Sequence, residues 1–158
     1  MIDHGIRYPH YRLHVVPAVL SLASASWQRE VWLDTAQPEN LDYVIHVLFD
    51  DFCDADDPQR WLGISLRTQE EVELAAQLGE AYGAVQDAIG LTAPDEAYLD
   101  DQDWPRVLAV AARLAQAMVR NDLRAAAAAA EIDSASSTAS EAQRGWPGPR
   151  PGSGFIAP

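Results

Sequence analysis

The spacing of apolar residues along the chain predicts an all-α fold. Apolar side chains recur at steps of three and four, which places them on one buried face of a helix. Four stretches show this pattern: residues 9–24, 41–52, 69–89 and 104–130. A shorter helix from Ser26 to Leu33 completes a bundle of about five helices around one core. In the first helix, the expected buried stripe is Leu13, Val16, Leu20 and Ala23, followed by Trp27.

The predicted helix over residues 69–89 has the clearest boundaries. Thr68 and Glu71 form a capping box, in which each side chain satisfies a free amide in the first turn. The charge of Glu71 also suits the positive end of the helix dipole, and Gly90 is a natural stop. Cap and dipole account for Glu71 without a further role.

The composition of the chain changes near residue 130. Residues 1–130 are predicted to form one helical domain, because 48% apolar composition supplies a core of ordinary size. Residues 131–158 are rich in Ala, Ser, Pro and Gly. Such a segment buries too little apolar area to offset its conformational entropy, so a disordered tail is expected there.

The net charge of the chain excludes some classes of binding partner and favours another. The net charge is -13, which argues against nucleic acid and against an anionic membrane surface, since both attract clustered cations. The imbalance lies in residues 39–103, which contain two Arg and seventeen acids. A basic protein is therefore the favoured partner.

Two acidic blocks carry much of this charge. The first acidic block consists of Asp50, Asp51, Asp54, Asp56 and Asp57. The second acidic block consists of Asp95, Glu96, Asp100, Asp101 and Asp103. The first block stands at the C-terminal end of a helix, where the dipole disfavours anions, so helix stability alone does not explain it.

A tryptophan follows each block, Trp61 after the first and Trp104 after the second. Aspartates speed the encounter with a basic partner, and a tryptophan can anchor it. The expected partner-binding residues are Asp50, Asp51, Asp54, Asp56, Asp57, Trp61, Asp100, Asp101, Asp103 and Trp104. The plainer interpretation is that the charges are solvated surface and both tryptophans belong to the core.

The cysteine content bears on the compartment. Cys53 is the single cysteine, which excludes an internal disulfide and favours a reducing, cytoplasmic location. Its apolar neighbours predict a buried thiol rather than a nucleophile. Secretion is the alternative, because Arg7 and Arg12 precede a short apolar run, although Pro17 interrupts it. No run is long and apolar enough to span a membrane.

No motif indicates catalysis, a cofactor or a metal, so we expect a binding protein and not an enzyme. His10 and His14 have a spacing that suits a metal, but further ligands are missing. One alternative is a metal-dependent hydrolase that uses the clustered aspartates, which fail the calcium-loop template and lack an oxyanion donor. Another is a structural or regulatory oligomer, with Gly79 and Gly83 allowing a second helix to approach closely.

Four segments together resemble a known group of proteins. They are ASWQREVWL, LDYVIHVLFDD, RWLGISL before the acidic capped helix, and AYLDDQDWPRVLAVAARLA. In this order they are similar to a family of small, acidic, helical actinobacterial proteins of uncharacterised biochemistry, related to immunity proteins of polymorphic-toxin systems. The likeness covers residues 8–122 and carries no catalytic residues. It implies that the basic partner is a cognate toxin, which this protein neutralises by stoichiometric binding.

Overall fold

The structure is a computed structural model and describes residues 2–144. This part of the chain contains six α-helices and no β-strand. The helices are α1 (Pro9–Leu22), α2 (Ala25–Trp27), α3 (Leu41–His46), α4 (Gln69–Ile89), α5 (Asp95–Asp100) and α6 (Trp104–Arg144). Wider π-helical turns extend α2 over Gln28–Trp32 and α3 over Val47–Asp51, and a 3₁₀ turn spans Pro58–Trp61. The predicted all-α fold is confirmed.

Side-chain caps begin three of these helices. The hydroxyl of Thr68 accepts the backbone N–H of Glu71 at 3.3 Å, as the sequence predicted. The side chain of Asn40 accepts the N–H of Tyr43 at 2.8 Å, which begins α3. α2 begins after Ser24 and not at Ser26, because the Ser24 hydroxyl accepts an N–H of the first turn. Each cap satisfies an amide that has no partner within the helix.

The core contains one face of α1, α3, α4 and α6, and the face that α1 contributes differs from the predicted one. Leu13 and Leu20 are exposed, and the row Arg12, Val15, Val19 and Leu22 is buried. Both rows have helical spacing, so the apolar pattern alone does not choose between them. The choice follows from Arg12, because its charge is paired inside the domain.

A tight contact joins α4 to the loop after α3. A Cβ atom added at Gly79 would lie 2.6 Å from the backbone oxygen of Ala55, whereas one at Gly83 would meet nothing within 4 Å. The close approach predicted for this face therefore exists at Gly79, but the approaching segment is a loop and not a second helix. Gly79 is occupied within the chain, so it is not available as an oligomer seam.

Contacts divide the chain into two units, residues 1–122 and 123–158. The second unit continues α6 to Arg144, so the tail predicted from residue 131 is helical that far. Alanine has the highest helix propensity, and the hydroxyls of Ser134 and Thr138 each donate to the carbonyl four residues earlier at 3.0 Å. The rest of the predicted tail, residues 145–158, lies outside the described residues. Within residues 2–144 no helix combines the length and the apolar character that crossing a membrane requires.

Candidate functional site

The first acidic block begins in the last turn of the α3 extension. Asp50 and Asp51 are the final residues of that turn, and both are exposed. Within the described part of the chain, neither carboxylate has a hydrogen bond or an ion pair to another residue. Two uncompensated charges therefore stand where the helix dipole also disfavours them.

The block continues through a tight acidic turn. Asp54 Oδ1 accepts the backbone N–H of Asp56 at 2.9 Å. Partial burial and the nearby Asp54 charge raise the pKa of Asp56 above its ordinary value. Asp57 has a cationic neighbour, Arg60, at 3.8 Å, but both side chains are largely in solvent and such a pair contributes little. The turn holds like charges close together.

His46 connects the first acidic block to Asp42. Its Nδ1 atom lies 2.8 Å from the backbone oxygen of Asp42 and 3.6 Å from that residue's carboxylate. The hydrogen bond to this backbone oxygen raises the pKa of His46, and the charges of Asp42, Asp50 and Asp51 raise it further. Three carboxylates therefore favour the charged form of one imidazole.

The second acidic block is largely used within the fold. Asp95 Oδ2 accepts the first amide of α3, that of Leu41, at 3.1 Å. Asp100 pairs with Arg29 at 2.6 Å, and the Asp101 carboxylate accepts the backbone N–H of Asp103 at 2.9 Å. These contacts stabilise helix ends and a turn, so they explain most of the block without a partner.

The two predicted anchor tryptophans are not equivalent. Trp104 is 2% exposed, and its indole donates to Gln28 Oε1 at 3.0 Å in the core. Trp61 is half-buried, with its ring 6.3 Å from that of Tyr11. Trp104 therefore offers no surface to a partner in this fold, and Trp61 offers part of one.

The arginines explain why the first acidic block stays negative. Five of them form ion pairs with acids outside that block: Arg12, Arg29, Arg67, Arg106 and Arg120. Their partners include Glu70, Glu71 and Glu80, which lie in the acidic middle of the sequence but on α4. Folding therefore neutralises part of the acidic segment, whereas among the described residues Arg60 alone of the arginines pairs with the first acidic block.

A buried ion pair between Arg12 and Glu71 joins α1 to α4. The two terminal guanidinium nitrogens of Arg12, Nη1 and Nη2, donate to the two carboxylate oxygens of Glu71, each at 2.8 Å. Asn121 and the backbone N–H of Arg67 donate to the same carboxylate at 2.9 and 2.7 Å. Burial lowers the pKa of Arg12, but the hydrogen bonds and charges of Glu71 and then Asp122 outweigh it and raise the pKa overall.

Two sequence signals at this ion pair were misleading. Glu71 has the cap position that the sequence predicted, but its carboxylate reaches Arg67 and Arg12 and not the Thr68 amide. Arg12 has the position of a signal-peptide cation but belongs to the core. Residues 12, 15, 19 and 22 also have helical spacing, and this second stripe contains a charge. The sequence therefore offered two possible buried faces for α1, and the charged one is buried.

The remaining chemical candidates are one cysteine and two histidines. Cys53 is buried, as predicted, and burial raises the pKa of its thiol to about 12, so it stays protonated. His10 and His14 are exposed, and the His14 ring stacks on Phe52 at 4.2 Å. Among the described residues, no group of three or more His, Cys, Asp or Glu is placed to hold a metal ion. The metal-dependent hydrolase stays a prediction without a supporting site.

A carboxylate that the sequence analysis did not single out lies between α1, α2 and α3. Glu39 Oε1 accepts the Ser21 hydroxyl at 2.9 Å, and Oε2 accepts the indole N–H groups of Trp32 at 3.3 Å and of Trp27. Trp27 was expected in the core but is 45% exposed. It lines a groove of about 410 Å³ together with Val31, Gln37, Pro38, Glu39 and Tyr43.

Comparison with known proteins places the chain in a family. Residues 6–126 match a family model described as "Domain of unknown function (DUF7945)". No curated protein and no solved structure matches the chain. The matched range contains both acidic blocks, the buried ion pair and the groove beside Glu39. Because the match spans more than half of the sequence, the protein belongs to the family of the domain of unknown function DUF7945.

Proposed function

We propose that this protein is an immunity-like binding protein, which neutralises a basic cognate toxin by forming a stoichiometric complex. One observation carries the proposal: Asp50 and Asp51 are exposed and have no cationic partner in the described residues, although arginines elsewhere in the domain are paired with acids. A surface that stays negative after folding is available to meet positive charge on another molecule.

The electrostatic argument concerns the rate of encounter more than the affinity. Exposed like charges raise the local potential and speed the approach of an oppositely charged protein. A bound cation would relieve the repulsion between the charges of Asp54 and Asp56 and would offset the unfavourable helix-end position of Asp50 and Asp51. Charges that destabilise the free domain therefore contribute favourably to the binding of a basic partner.

Inhibition in this proposal needs no chemistry from the domain. Nucleic-acid-directed toxins carry basic active-site clefts because their substrates are polyanions. An acidic protein seated in such a cleft excludes the substrate by occupying its place. The first acidic block, with Asp42 beside it, supplies the substrate-like charge.

A co-expression assay tests the class of function. The reading frame next to the one that encodes this chain is expressed in cells, alone and together with this protein. We expect growth arrest from the neighbouring product alone and normal growth when both proteins are made. A neighbouring product without toxicity, or toxicity that co-expression leaves unchanged, contradicts the proposal.

Charge reversal tests the surface. With the toxin from that assay, Asp50→Lys, Asp51→Lys and Asp54→Lys in one variant should slow association by at least about tenfold at low salt and weaken its salt dependence. Stopped-flow fluorescence at two ionic strengths measures this. The matched control reverses three exposed acids on other helices, Glu30, Glu73 and Asp87. Equal slowing in both variants would show a net-charge effect and remove the assigned surface.

A further inference from the structure

We infer that the groove beside Glu39 receives an arginine side chain from an apolar, extended segment of the partner. The inference rests on the proposed function for the basic character of that partner. The groove is a second contact with the partner, separate from the first acidic block, and it has a different role. The acidic block speeds encounter, and the groove holds one cation in place.

The charge of Glu39 lacks a counter-ion. Its carboxylate accepts hydrogen bonds from three neutral donors, namely the Ser21 hydroxyl and the indoles of Trp27 and Trp32. No arginine or histidine among the described residues forms an ion pair with it. The donors fix the direction of the carboxylate without cancelling its charge. The groove thus contains an oriented, half-buried anion.

The walls of the groove are aromatic and exposed. Trp27 is 45% exposed and Tyr43 is 49% exposed, and Val31 and Pro38 line the same groove. Tryptophan and tyrosine are the residue types that contribute most to binding energy at protein interfaces. Their exposure here gives an apolar surface that a partner segment can cover.

An arginine satisfies both features at once. A guanidinium is planar and weakly hydrated, so it stacks on an indole face and donates to a carboxylate in the same pose. Glu39 Oε1 accepts one hydrogen bond, from Ser21, and a carboxylate oxygen has room for a second. The flanking residues of the arginine, if apolar and extended, cover Val31, Pro38 and Tyr43.

A pair of peptides tests the inference on the full chain. The probe is acetyl-Leu-Pro-Arg-Pro-Leu-amide, and its control replaces arginine by citrulline, which has nearly the same shape and no charge. Binding is followed by NMR through the indole N–H signals at constant ionic strength. We expect the arginine peptide to shift the Trp27 and Trp32 indole signals. The citrulline peptide should bind about tenfold more weakly, because a charge-assisted hydrogen bond is lost.

Two variants assign the effect to the groove. Glu39→Gln removes the charge but keeps an oxygen for the two indoles and an amide for Ser21, and it should weaken arginine-peptide binding about tenfold. Tyr43→Ala removes an exposed ring and serves as a second variant if Glu39→Gln does not fold. Equal affinity for the two peptides, or an arginine-peptide affinity that neither variant lowers, overturns the inference.

The outcomes separate this inference from the proposed function. Suppose that charge reversal of the first acidic block slows toxin association while the arginine peptide never shifts the Trp27 signal. The groove inference is then wrong and the proposed function stands. If the peptide binds the groove as expected but no toxin is neutralised, the cation site stands and the proposed function is wrong.

Discussion

The buried ion pair of Arg12 with Glu71 determines which face of α1 enters the core. Arg12 uses its guanidinium for Glu71, Asp122 and the backbone oxygens of Ser65 and Met118. A charge removed from water is tolerated only when it is paired and fully hydrogen-bonded. Rotating α1 to bury Leu13 and Leu20 would leave the buried Glu71 charge without its cation and would expose Val15, Val19 and Leu22 in exchange.

Removing Arg12 tests how much the buried ion pair contributes to the stability of the domain. Arg12→Met keeps the length of the side chain but leaves the Glu71 charge unpaired, and should lower the free energy of unfolding by about 3–5 kcal/mol. Urea denaturation measures the change. The control Arg106→Met breaks an exposed pair with Glu80 and should cost less than about 1 kcal/mol. Similar losses in the two variants would contradict a special role for the buried pair.

At the scale of elements, helix starts and stops were the most predictable features. Thr68 and Gly90 bound α4 as expected, since caps act through neighbouring residues in sequence. The π-helical turns after α2 and α3 had no sequence signal that we identified. The partner of Gly79 was also not predictable, because it is the backbone of a loop that only tertiary packing brings near.

The two glycines of α4 form a matched pair for mutation. Gly79→Ala places a methyl group against the Ala55 carbonyl and should destabilise the domain by about 1–3 kcal/mol. Gly83→Ala meets no atom within 4 Å and should stabilise it by about 0.5–1 kcal/mol, because alanine favours a helix. Thermal and urea unfolding compare the variants. Shifts of the same sign would contradict the contact with Ala55.

His46 gives the face of α3 a dependence on pH. Its pKa is raised, first by the hydrogen bond to the Asp42 backbone and then by Asp42, Asp50 and Asp51. Protonation adds positive charge beside the first acidic block, so association with a basic partner should be slower at pH 6 than at pH 8. Stopped-flow rates for the wild type and for His46→Gln measure this. A pH dependence that His46→Gln leaves unchanged assigns the effect to other groups.

At the scale of the whole molecule, the sequence established the sign and the segment of the charge but not its final distribution. The acidic excess of residues 39–103 is visible in the sequence. Which acids remain unpaired depends on the arginines that folding brings from residues outside that range, such as Arg29 and Arg120. Glu39 was not singled out either, because the groups that orient it, Ser21 of α1 and the indoles of α2 and its extension, meet only in the folded chain.

The domain boundary is testable by truncation. In the described residues after Asp122, no side chain is buried, so a chain that ends at Ala130 should keep the core. We expect its free energy of unfolding to differ from that of the full chain by less than about 1 kcal/mol, as for changes at exposed positions. Urea denaturation at equal ionic strength compares the two. A much larger loss would show that residues 131–158 contribute to the stability of the first unit.

The ion pair at Arg12 also constrains the order of events during synthesis. Arg12 leaves the ribosome before Asp122, which accepts a hydrogen bond from it, and before Asn121, which donates to Glu71, with most of the first unit synthesised in between. Translation is slow relative to helix formation. Until α6 has been synthesised, Arg12 therefore lacks its contacts with Met118 and Asp122. The complete set of hydrogen bonds around this pair can form only after residues 12–122 have been synthesised.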